Sequence, residues 1–98
     1  TTISAGTLQV GSGGTTGSLG AGAVTNNATL AFNRSDTVTV ANAISGTGAV
    51  TQIGAGTAVL TGANSYSGTT TIAAGTLQVG AGGTTGSLGT GAVVNNAT

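Results

Sequence analysis

Polar and apolar residues alternate in short bursts along this chain. Thr7-Leu8-Gln9-Val10 puts Leu and Val on one side and Thr and Gln on the other. Thr29-Leu30-Ala31-Phe32 and Thr37-Val38-Thr39-Val40 repeat the pattern. Shorter versions occur at Ala43-Ile44-Ser45, Ala49-Val50-Thr51 and Thr70-Thr71-Ile72. A period of two belongs to a half-buried, pleated strand, and the β-branched residues filling these bursts suit one. No segment carries the period-3.6 stripe of a helix, and the frequent Gly would weaken one by about 1 kcal/mol per site. Between the bursts lie Gly, Asn and Ser: Gly11 to Gly22, Asn26-Asn27, Asn33 to Asp36, Gly54 to Gly56 and Gly62 to Gly68. Gly reaches φ > 0 without a Cβ clash and Asn tolerates it better than most residues, so these are corners.

The bursts recur at long range. Thr1–Thr29 and Thr70–Thr98 are offset by 69 residues and identical at 25 of 29 positions. The differences, Ser4/Ala73, Ser12/Ala81, Ala21/Thr90 and Thr25/Val94, are swaps among small or β-branched residues. Short strands, tight corners and an exact repeat predict an all-β fold, a parallel β-helix or solenoid with open, uncapped ends. The right-handed crossover preference gives its hand. Residues 1–69 form one complete repeat of about three coils, and 70–98 begin the next. One partition is Thr1–Asn27, Ala28–Gly46 and Thr47–Thr69. Coils stacked at strand spacing rise ~14 Å per repeat. Neither end has the atypical sequence of a capping repeat, which predicts a window from a longer array. The stretch Gly11 to Gly22 is expected to protrude as a loop.

The inward side chains expected from the alternation are Ile3, Leu8, Val10, Val24, Leu30, Phe32, Val38, Val40, Ile44, Val50, Leu60, Ile72, Leu77 and Val79. Stacking should set Leu on Leu and Val on Val in columns. One coil's core is too thin to stand alone, so each lap stabilises its neighbour.

Composition removes most kinds of chemistry. Arg34 is the only base and Asp36 the only acid, and there is no His or Cys. Paired carboxylates and Ser-His-Asp triads need more titratable groups than that, so no enzyme activity is expected. Calcium wants several carboxylates, so neither a metal nor a cofactor is expected. One Arg cannot displace the counterions of a nucleic acid or make a polybasic membrane patch. No apolar run reaches the ~18 residues of a membrane helix. Two aromatics, Phe32 and Tyr66, cannot girdle a membrane barrel. Low charge, strand-forming residues and no Pro do favour stacking into sheets.

Four local features remain. Gly11 to Gly17 and its copy Gly80 to Gly86 lack the spacing and the Lys of a phosphate loop and read as solenoid corners. Arg34 and Asp36, two residues apart at a turn, read as a surface ion pair, with a receptor-binding Arg34-Ser35-Asp36 tripeptide as the alternative. Thr37-Val38-Thr39 and Thr69-Thr70-Thr71 resemble the Thr-x-Thr rows of ice-binding faces, although Thr is also the polar residue best suited to a strand. Tyr66 reads as a turn clamp whose hydroxyl needs a partner.

From Gly56 to Gly80 the chain reads GTAVLTGANSYSGTTTIAAGTLQVG. This resembles the autotransporter-associated β-strand repeat, also called the passenger-associated transport repeat. Gly62, Asn64, Tyr66, Gly68, Thr70, Ile72, Gly75, Leu77, Val79 and Gly80 match its pattern in order. Ala58 stands where Leu is usual and Thr69 where Gly is common. The resemblance implies a parallel β-helical passenger of a Gram-negative type V secreted protein. Such a passenger is exported across the outer membrane through a C-terminal barrel and forms an adhesin or stalk outside. The expected role is a rigid spacer at the cell surface. Its expected partners are other copies of the repeat and a host or neighbouring-cell surface. A ligand-binding or ice-binding Thr-rich face is the alternative.

Overall fold

The computed structural model describes residues 1–14, 19, 22–80 and 91–97. Among them are eleven strands and no helix. The strands are β1 (Thr2–Ile3), β2 (Thr7–Val10), β3 (Val24–Asn26), β4 (Thr29–Phe32), β5 (Thr37–Val40) and β6 (Ile44–Ser45), then β7 (Ala49–Gln52), β8 (Thr57–Leu60), β9 (Thr70–Ile72), β10 (Thr76–Val79) and β11 (Val93–Asn95). Every pairing is parallel. The strands form three sheets, β1-β3-β6, β2-β4-β7-β9-β11 and β5-β8-β10, here the first, second and third. From β3 to β8 the chain visits first, second, third, first, second, third. Parallel neighbours need a long crossover, and here the other two faces of the coil supply it. The fold is a parallel β-solenoid of about four turns.

Register fixes the lap length. Thr29 lies beside Ala49, Thr37 beside Thr57 and Val50 beside Thr70, so these laps take 20 residues. The lap from Thr57 to Thr76 takes 19. Thr7 to Thr29 takes 22, and both Thr2 to Thr25 and Thr70 to Val93 take 23. The longer laps contain the Gly11 to Gly22 stretch or its copy. Most laps are therefore shorter than the average of 23 expected from three coils per repeat.

The interior is apolar. Ile3, Val10, Val24, Leu30, Phe32, Val38, Val40, Ile44, Val50, Ala58, Leu60 and Tyr66 form one buried cluster, with Leu8, Leu19, Ala28 and Leu77 packed against it partly buried. Ile72 is also buried. Complete burial of a side chain such as Leu30 or Phe32 contributes roughly 1.5–3 kcal/mol.

Three sequence expectations need correction. First, the columns are mixed. Leu8 lies beside Leu30, but Val50 and then Thr70 follow. Val10 lies beside Phe32, followed by Gln52 and Ile72. Second, Val79 is 43% exposed. It continues the inward column of Val40 and Leu60, but β10 is the last strand of the third sheet, so no described strand covers its far side. Third, the described part of the stretch Gly11 to Gly22 does not protrude. Gly13 N–H donates to Asn33 O (2.8 Å), Ser35 N–H donates to Gly14 O (2.7 Å), and Leu19 packs on the core. Residues 15–18, 20 and 21 lie outside the described set, as does most of the copy at Gly80 to Gly86.

Candidate functional site

The corner joining β8 to β9 carries the motif residues Gly62, Asn64, Tyr66 and Gly68. It runs along the first sheet beyond β6, where residues 61–69 form no regular strand. Backbone bonds still tie it to the lap below, with Ser65 N–H donating to Ile44 O (2.8 Å) and Ser67 N–H to Gly46 O (3.0 Å). The Ile44 N–H donates to Asn64 Oδ1 at 3.0 Å. A side-chain amide thus takes the place of a ladder carbonyl and satisfies a buried donor that would otherwise cost free energy.

Tyr66 is fully buried, and its hydroxyl shares a hydrogen bond with Thr70 Oγ1 at 2.7 Å. Thr70 occupies an inward position of β9, so its hydroxyl has left water as well. Each group satisfies the other. Gly62 and Gly68 have a different reason to be Gly. A Cβ on Gly62 would run into the carbonyl of Asn42, and one on Gly68 into the carbonyl of Gly48. Neighbouring laps touch there backbone to backbone. Gly46 is constrained twice over, with φ at 102° and the Asn26 carbonyl in the path of a Cβ.

Two buried polar residues lay outside the sequence-based core. Asn26 Nδ2 donates to Ala49 O (2.8 Å), and Asn26 Oδ1 accepts from Ala28 N–H (3.2 Å). It pins a corner to the next lap from inside. Gln52 sits inward between Phe32 and Ile72, and its Nε2 donates to Gly56 O at 3.0 Å. Gln52 Oε1 is buried without a hydrogen-bond partner. Both continue the alternation of their strands, but polarity argued against reading them as core.

Arg34 and Asp36 meet in the turn between β4 and β5. Arg34 Nε lies 2.9 Å from Asp36 Oδ1, and Nη2 lies 2.9 Å from Oδ2. The pair is bidentate, with side chains 15% and 42% exposed. The mostly covered Arg34 side chain suits a corner brace better than a receptor-binding tripeptide. At surface exposure such a pair contributes ~0.2–1 kcal/mol.

The outward Thr residues do not build a uniform face. On the third sheet Thr37, Thr57 and Thr76 are in register, but the companion column runs Thr39, Val59, Gln78. On the second sheet the corresponding column runs Gln9, Ala31, Thr51, Thr71, Val94. An ordered Thr-x-Thr pair is therefore not repeated from lap to lap. Among the described residues there is no group of three or more His, Cys, Asp or Glu, and no helix long and apolar enough to cross a membrane.

Among the described residues β10 and β11 are the last strands of their sheets, and Val79, Val93 and Val94 are 43%, 47% and 44% exposed.

Comparison with known proteins adds two findings. A family model described as the passenger-associated-transport repeat matches residues 1–10 and 50–79, which include the motif corner. The chain is 50% identical over 83 residues to the "Adhesin BmaC autotransporter" of Brucella suis biovar 1 (strain 1330). That alignment covers 85% of this chain and 2% of the Brucella protein. No solved structure matches the chain.

Proposed function

Because this chain belongs to the passenger-associated-transport-repeat family, we propose that it is a structural segment of a secreted, surface-displayed passenger. It acts there as a rigid spacer and carries no catalytic role. The single observation behind this reading is the stack of parallel laps with their backbones in ladder contact. Such a stack lengthens by adding laps, and each lap adds about 4.8 Å of stiff rod. The matching relative is named an adhesin and an autotransporter, which supports display outside the cell after export across the outer membrane. A chain without Cys forms no premature crosslinks while it is threaded unfolded through a pore.

Partners follow from the way laps stack in register. Laps of the same repeat pair with one another, in one chain or between chains, and the rod holds an adhesive element toward a host or neighbouring cell. Sedimentation velocity on the 98-residue chain tests the stacking. Concentration-dependent assemblies are expected, and replacing Val79 and Val94 by Asp should dissolve them. A monodisperse monomer at millimolar concentration contradicts the stacking part of the proposal.

A further inference from the structure

The sequence repeat does not return to the same face. Thr7–Val10 and Thr76–Val79 are the same tetrapeptide, yet β2 pairs with β4 in the second sheet and β10 with β8 in the third. β1 lies in the first sheet and its copy β9 in the second. β3 lies in the first sheet and its copy β11 in the second. Register gives the reason. Three laps down the second sheet from Thr7 pass Thr29 and Ala49 and end at Thr69. The copy of Thr7 is Thr76, seven residues further, which carries the chain round one more corner.

Local geometry is nonetheless conserved between the copies. Gly6 and Gly75 have φ of 73° and 65°, and Gly11 and Gly80 have φ of 86° and 81°. Gln9 Nε2 donates to Gly11 O at 2.8 Å, and Gln78 Nε2 donates to Gly80 O at 2.9 Å. Strand and corner are therefore encoded locally, whereas the face a strand occupies depends on the accumulated lap length.

We infer that the 69-residue repeat advances the solenoid by three laps and one third, so that successive repeats present the same residues on three faces in turn. This rests on the spacer reading above. Each once-per-repeat feature, such as the Arg34–Asp36 corner, returns turned by a third of a circle and ~16 Å further along the axis. It regains its first face after three repeats, ~48 Å along. An integral three-lap repeat would set the copies ~14 Å apart in a single row. The turned arrangement denies a flat lattice such as ice the single file of identical side chains it needs.

Cysteine cross-linking in the full chain tests the turn, since the chain has no Cys of its own. Thr57 and Thr76 are in register, whereas an integral repeat with laps of 23 places Thr76 beside Ile53. Thr57→Cys/Thr76→Cys should form an intramolecular disulfide in at least tenfold higher yield than Ile53→Cys/Thr76→Cys. Thr51→Cys/Thr71→Cys, in register on the second sheet, reports lap stacking itself. Closure of 51–71 with 53–76 favoured over 57–76 overturns the turn and leaves the spacer intact. Failure of all three links overturns both.

Discussion

Replacing Tyr66 by Phe removes one oxygen atom from the interior of the stack and leaves its shape almost unchanged. The partner, Thr70, is 2% exposed, and the 2.7 Å bond joins the two hydroxyls. In the Tyr66→Phe variant the Thr70 hydroxyl stays buried with its Tyr partner gone, which costs about 1–3 kcal/mol. Thr70→Val leaves the Tyr hydroxyl in the same position at a similar cost. The double variant removes both groups and keeps the volume, so its cost should fall below about 1 kcal/mol. The cycle therefore predicts a coupling of at least about 1 kcal/mol. Equilibrium urea unfolding followed by far-UV circular dichroism reads it directly. With a slope of about 1–2 kcal/mol per molar, each single variant should lose roughly 1 M in midpoint. Additive losses in the double variant would refute the bond, and with it the role of the motif tyrosine as an internal clamp.

Three further outcomes follow from the same structure. Gln52→Met removes an orphaned buried oxygen together with the Nε2 bond to Gly56 O; the two effects oppose each other, so stability should change by less than about 1 kcal/mol in the same urea assay. Gly6→Ala meets nothing within 4 Å and suffers only from φ of 73°, so it should cost about 1–2 kcal/mol. Gly46→Ala adds a collision with the Asn26 carbonyl and should lower the thermal midpoint by clearly more. Arg34→Gln breaks a partly exposed pair and should change stability by less than about 1 kcal/mol, with the difference shrinking in 0.5 M salt.

Much of this architecture can be read from the residues. β2 and β5 alternate cleanly, and each lies where the period of two puts it. β8 is harder because Ala58-Val59-Leu60 is a continuous apolar run. Val59 points outward by register, flanked by Thr39 and Gln78, yet it is buried. β1 and β6 are two residues each, too short for any periodicity to declare them. The turned repeat is hidden for another reason. Identical sequence normally means identical placement, and only the sum of lap lengths, set by loops with no hydrophobic signature, decides which face a strand meets. Polar core positions are hidden too. Asn26 and Thr70 are inward because hydrogen bonds satisfy them, Gln52 is held through its Nε2 alone, and such bonds need coordinates. The exposure of Val79 likewise depends on what lies on the next lap and not on its own strand.

The central claim is that the chain winds in parallel laps, each in register with the next. The most direct measurement is a set of isotope-edited NOEs at β4, the middle of three consecutive laps. Leu30 should show contacts to Leu8 on one side and Val50 on the other, with all three strands running the same way. Contacts pairing β4 in reverse direction with β5, the next strand in sequence, would mean a hairpin, and the solenoid account would be wrong.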